Sequence, residues 1–171
     1  MQLIEECCYG VHDISRTETT SFTQPDGPPE LLPRFNMPLE LGIFIGAQRF
    51  GNGHQKRKNY LVFDTEPYRF QKFISDLAGQ DIKTHGWPGG ATDSAKRDIA
   101  IKKTLAGLRN WLITKSENNE LPGSKSLQSR FFKFREELPQ MAEALGQHTT
   151  EISFHELSAL IETWLKVNPQ D

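Results

Sequence analysis

Hydrophobic and polar positions follow two rhythms along this chain. Short apolar runs and a period of two mark strands, and a period near 3.6 marks helices. Tyr9 to Ile14, within YGVHDIS, reads as a short strand closing at Ser15 and Arg16. NYLVF (59–63) predicts a buried strand that ends at Asp64. DIKTH (81–85) predicts a third strand, and GWPGG turns the chain after it. MQLIEECC reads as the end of an amphipathic helix with Leu3, Ile4, Cys7 and Cys8 on one side. A second helix is expected from about Met37, and a third over EPYRFQKFISDLAG, opened by Pro67 and stopped at Gly79.

A long helix is expected from Thr92 or Asp93 to about Thr114, with Ile99, Ile101, Leu105, Leu108, Trp111 and Leu112 as its apolar positions. Two more follow at 127–145 and 153–167, each with an apolar stripe that includes Phe131, Phe134 and Leu138 or Leu157, Ile161 and Trp164. Residues 17–34, rich in Thr, Pro and Gly, are expected to form a loop. GNGHQKRK reads as a solvated polar turn, and Gly42 and Gly46 as places where another element comes close. Strands alternating with helices predict an α/β fold with a mostly parallel sheet flanked by helices, followed by C-terminal helices. Three strands are few for such a sheet, and the opening residues resemble the tail of a crossover helix. The chain is therefore expected either to start late, with a strand ahead of Met1, or to form its sheet with unusually few strands.

Met37 to Ala47 is the most apolar stretch and contains one charge, Glu40. On a helical wheel of about 100° per residue, Met37, Ile43, Phe44 and Ala47 lie within about 60° of it. A helix apolar nearly all round is expected to be buried, with Glu40 directed into the protein or a cleft. Asn36 suits the cap and Pro38 the first turn, which favours an anion at Glu40; Arg34 and Arg16 are candidate partners. One reading is that Glu40 only complements the helix end. The other is a carboxylate at the mouth of an α/β cleft, facing Asp13, Ser15 and Arg16 at the end of the first strand.

Among 171 residues, 20 are Lys or Arg and 22 are Asp or Glu, a formal charge of -2 that argues against nucleic acid as a partner. No apolar run reaches the roughly 20 residues of a membrane span, and no signal-peptide pattern opens the chain. With Cys7 and Cys8 the only cysteines, a cytoplasmic location is expected, and no Cys/His spacing suggests a metal.

Taken together, HDISR, LPRFNMPLELGIFIGA and EPYRFQKFISDLAGQDI resemble a group of bacterial TIR-like proteins related to nucleoside 2-deoxyribosyltransferases and often associated with conflict or antiphage systems. The resemblance covers about residues 1–114; 115–126 read as a linker and 127–171 as a helical appendage. It implies a Rossmann-like fold and an enzyme acting on an N-glycosidic bond, as an NAD glycohydrolase or a deoxyribosyltransferase does. By motif match, Glu40 is the catalytic residue. Asp13, Ser15 and Arg16 line the ligand crevice, and Asn36 and Met37 shape the helix entrance. The implied substrate is NAD or another nucleotide, with no separate cofactor and no metal. Homo-oligomers are expected by the same resemblance. The alternative is a non-catalytic module for nucleotide sensing or TIR-like self-assembly.

The remaining candidates have plainer readings. Tyr68 and Phe70 are expected to pack in the core, His12 to be a satisfied interior histidine, and His85 with Trp87 to cap a loop. Cys7 and Cys8 read as apolar fillers, and Trp111 and Trp164 as helix-packing anchors.

Overall fold

The computed structural model describes residues 2–17, 19–22, 30–33, 35–87, 93–115 and 121–169, with 19–22 and 30–33 described by their backbone alone. The chain divides into two compact units, Met1–Asn119 and Glu120–Asp171.

The first unit is built on a parallel sheet of three strands, β1 (Tyr9–Asp13), β4 (Asn59–Asp64) and β5 (Lys83–Thr84), in the order β1-β4-β5. β1 and β4 pair with Tyr9 opposite Asn59 and Asp13 opposite Phe63. Helices flank the sheet: α1 (Gln2–Glu6), α2 (Asn36–Phe50) and α3 (Ser94–Lys115). The pleat sorts β4 onto two faces, as its period of two requires. Val62 meets Ile14, Leu41, Phe70 and Leu77 on one side; Leu61 and Phe63 meet Trp111, Leu108 and Leu112 of α3 on the other. Asp93 starts α3 by accepting the amides of Ala95 and Lys96. The three strands expected from the sequence are therefore present.

Several other expectations are corrected. Residues 17–34 are not simply a loop: β2 (Thr19–Phe22) and β3 (Glu30–Pro33) pair antiparallel, with Thr19 opposite Pro33. The helix expected over EPYRFQKFISDLAG is two short 3-10 turns, Arg69–Lys72 and Ser75–Leu77. Tyr68 ahead of them takes a left-handed backbone (φ 60°) and is 72% exposed, so it does not join Phe70 in the core.

The polar turn before β4 is not wholly solvated. Lys58 is 1% exposed, its ammonium donating to the carbonyls of Ile4, Cys7 (2.6 Å) and Glu5 (3.4 Å). Those carbonyls are the unsatisfied end of α1, so the turn caps a helix that is too short to stand alone. Cys7 is exposed rather than a filler.

Helix α2 is amphipathic only in placement. Leu41 and Phe44 are buried, whereas Leu39 and Phe50 are 63% and 87% exposed. A three-stranded sheet covers one side of a helix and no more, so an apolar sequence all round does not produce burial all round. Glu40 is exposed for the same reason, against the expectation of an inward carboxylate. Gly42 and Gly46 face open space, with nothing within 4 Å of the point where a Cβ would stand.

The second unit pairs α4 (Ser124–Glu143) with α5 (Phe154–Val167). Trp164 is its anchor: buried, edge-on to Phe134 at 5.5 Å, with the indole N–H donating to Glu137 at 2.7 Å.

Candidate functional site

The carboxyl ends of β1, β4 and β5 bring together the chemistry of the first unit. Asp13 ends β1, and its Oδ1 accepts the Ser15 amide at 3.0 Å in a tight side-chain turn. Across the sheet, His85 follows β5 and is held by its own amide, which donates to Asp64 O at 3.0 Å. The Trp87 amide donates to His85 Nδ1 at 2.9 Å. Nδ1 is thereby an acceptor, which leaves Nε2–H to face Asp13 Oδ1 at 3.4 Å. Burial pushes the Asp13 carboxyl up, but its hydrogen bonds with His85 and Ser15 outweigh it and hold the group below its ordinary value. The expected loop cap at His85 and Trp87 is present, and it also fixes Asp13.

Beside this dyad lies a clamp that sequence reasoning missed. Arg69 Nε donates to Asp64 Oδ1 at 2.7 Å, and one terminal nitrogen donates to Ile14 O and Ser15 O, both at 2.9 Å. The other reaches Thr17 Oγ1 at 3.2 Å. Asp64 is fully buried, and its Oδ2 has no partner among the described residues. One guanidinium therefore ties the segment after β1 to the end of β4. The available signal was an acidic residue closing a buried strand with an arginine five positions on, a spacing that no single motif marks.

His12 sits one residue before Asp13 on the opposite face, against Phe44 of α2 (ring centroids 5.3 Å apart). It is interior, as expected, but not satisfied: Nε2 is buried without a partner among the described residues. Burial lowers its basicity, and the Glu40 carboxylate partly restores it. That field links Glu40 to β1.

The helix start differs from expectation. Asn36 is the first helical residue, Phe35 holds the cap position, and no side chain caps the helix. Glu40 thus stands in the second turn, past the free amides that would favour it most. The structure brings Asp13 and Ser15 together with His85. Arg16 and Asn36 are exposed, Met37 is half-buried, and their side chains make no hydrogen bond or ion pair among the described residues. The same holds for Glu40. Of its two candidate partners, Arg16 does not pair with it and Arg34 lies outside the described residues.

No protein-family model, curated protein or solved structure matches the chain. Among the described residues, no group of three or more His, Cys, Asp or Glu is placed to hold a metal ion. No described helix is long and apolar enough to cross a membrane.

Chemically, the edge offers one oriented carboxylate at Asp13 and the imidazole of His85, with the exposed Glu40 carboxylate acting on His12 of the same strand. Such a set can hold hydroxyl groups and stabilise a developing positive charge.

Proposed function

We propose that the first unit is a Rossmann-like nucleotide-binding domain that cleaves or transfers at an N-glycosidic bond, with NAD or a nucleoside as substrate. The observation that carries this reading is the fixed Asp13 carboxylate at the strand ends, with the Glu40 carboxylate acting electrostatically on the adjoining His12. Ligands of open α/β sheets gather at the carboxyl ends of the strands. The resemblance of NMPLELG and HDISR to TIR-like and deoxyribosyltransferase sequences adds the role of each carboxylate.

In this scheme Asp13 and Asn36 accept and donate to the sugar hydroxyls, while Ser15, Arg16 and Met37 bound the crevice. The C–N bond breaks with its electron pair leaving on the base, and positive charge develops on the sugar. Glu40 stabilises that charge or attacks the anomeric carbon to form an ester, which water or a second base then resolves.

A second reading is a nucleotide sensor without turnover. The exposure of Glu40 favours it, because a carboxylate in water stabilises a transition state less than one in a dry site. Calorimetry and chromatography on the full chain with NAD and nucleosides separate the two. Release of free base that Glu40→Gln abolishes and Asp13→Asn weakens supports the enzyme. Heat without product supports the sensor, and neither heat nor product overturns both.

A further inference from the structure

Successive residues of a strand in a parallel ladder direct their peptide groups to opposite neighbours. In β4, the Asn59 amide donates to Cys8 O at 2.8 Å, and Phe63 O accepts the Ile14 amide at 2.9 Å. Odd-numbered residues of β4 therefore bond toward β1, and Tyr60, Val62 and Asp64 turn their N–H and C=O groups toward β5. β5 answers only the far end of that edge, pairing Phe63 with Lys83 and Asp64 with Thr84. Ahead of Lys83 the chain swings away, the Ile82 amide donating to Gln80 O at 3.0 Å. The amides of Tyr60 and Val62 and the Tyr60 carbonyl are left without a partner among the described residues.

These groups open onto a cleft of about 390 Å³, bounded by Gln48 of α2, Trp111 and Thr114 of α3, and Gln80. The size falls within the roughly 300–1,000 Å³ of small-molecule sites. Edge peptide groups take their partners from solvent or from a ligand, so this edge offers donors and acceptors to whatever enters the cleft. Along it stand a donor, an acceptor and a donor, in the plane of the sheet and between two helical layers.

We propose that this cleft binds a nucleobase, whose flat ring carries a donor beside an acceptor on one edge. The ring lies in the plane of the sheet, hydrogen-bonded to Tyr60 C=O and to the neighbouring amide of Tyr60 or Val62. The Tyr60 hydroxyl donates to Gln80 Oε1 at 3.2 Å and so bridges the cleft, which disfavours a peptide strand running through it. Lys115 at the rim gives an anionic substituent on the base a cation. Tyr60 lies three residues along β4 from Phe63, the register partner of Asp13, about 10 Å at roughly 3.3 Å per residue, and on the opposite edge of the strand. The site does not depend on the role of Glu40.

The test is amide NMR on the full chain with uridine monophosphate, adenosine monophosphate and a capped tripeptide. One of the nucleotides is expected to shift the Tyr60 and Val62 amides and slow their hydrogen exchange by about tenfold or more, leaving Leu61 and Phe63 unchanged. Thr114→Trp, which fills the cleft from α3, removes the response, and Gln80→Trp does so from the opposite wall. Glu40→Gln preserves it, so this result and the glycosidic reading stand or fall separately. The proposal is overturned if millimolar nucleotide leaves both amides unmoved, if only the tripeptide moves them, or if both folded tryptophan variants respond like the parent.

Discussion

Replacing Arg69 by Met tests whether the clamp at the strand ends holds the first unit together. The parent guanidinium donates to Asp64, to two backbone carbonyls and to Thr17 at 2.7–3.2 Å. Its removal leaves the Asp64 carboxylate, fully buried, with the Thr65 amide at 2.7 Å and the Thr65 hydroxyl at 3.4 Å as its only partners among the described residues. Stripping one partner from a buried ion pair costs about 3–5 kcal/mol. The Arg69 side chain retains 15% exposure, so water reaches part of the site and the lower end, about 3 kcal/mol, applies. For a unit of this size each kcal/mol moves the midpoint by roughly 3–6 °C, giving a fall on the order of 10 °C.

Asp64→Asn alone removes the charge but keeps an acceptor, and is expected to cost about 1–2 kcal/mol. The double variant carries no buried charge and is expected to be more stable than Arg69→Met alone. Hydrogen exchange of the Leu61 and Phe63 amides reads the first unit without interference from the second. A loss below about 1 kcal/mol for Arg69→Met, or a double variant equal to the sum of the two singles, would refute the clamp.

Three further outcomes follow from the same geometry. Imidazole NMR should place His12 below its ordinary value of 6.5, and Glu40→Gln should lower it further by removing the carboxylate that opposes burial. The charged form being disfavoured in the fold, this stability is present above about pH 6.5 and is lost as pH falls below it; an unchanged His12 in Glu40→Gln separates the two residues. Gly10→Ala puts a methyl 2.7 Å from His12 Nε2 and 3.0 Å from the Phe44 ring, an overpacking expected to cost about 1–3 kcal/mol in chemical denaturation, and a neutral result would show that the rings yield. In the second unit, hydrogen bonds from the Ser153 hydroxyl, Gln147 and the Ser153 amide draw Glu156 down to about 2 from 4.5. The capping box therefore supports α5 above pH 4.5 and is lost as pH falls toward about 2, while Ser153→Ala costs about 1 kcal/mol at neutral pH; α5 carbon shifts measure both.

What was legible in the sequence divides by the range of the interaction that decides it. NYLVF shows its strand because every residue of a fully covered strand must be apolar, and the stripes of α3, α4 and α5 show theirs because one covered face needs a 3.6 period. The burial of α2 was not legible. Its residues are apolar on all sides, and only the number of strands beneath it decides which of them are covered. The two 3-10 turns were hidden for a related reason. Phe70 and Leu77 are spaced to suit a helix, but what they pack against is a core shared with Ile14 and Val62, and two tight turns deliver them there. Asp13 and Ser15 could be read as a pair because an Asx-type turn is local, whereas His85 is 72 residues away and met Asp13 only through the sheet.

The carboxylates at the strand ends illustrate how one edge separates structure from chemistry. Asp64 and Asp13 close adjacent parallel strands, yet only Asp64 is fully buried and bound to a guanidinium that makes four hydrogen bonds. A group so committed cannot exchange its partner for a ligand without the cost of an unpaired charge, which assigns Asp64 to the fold. Asp13 is half exposed, and its constraint comes from the His85 imidazole and from Ser15, which orient the group at the surface. Glu40 has still fewer ties among the described residues: its carboxylate acts on His12 through its charge and makes no hydrogen bond or ion pair. On the proposed glycosidic reading, recognition at the edge depends more on Asp13, and the bond-breaking step needs Glu40 drawn out of water when a ligand covers it.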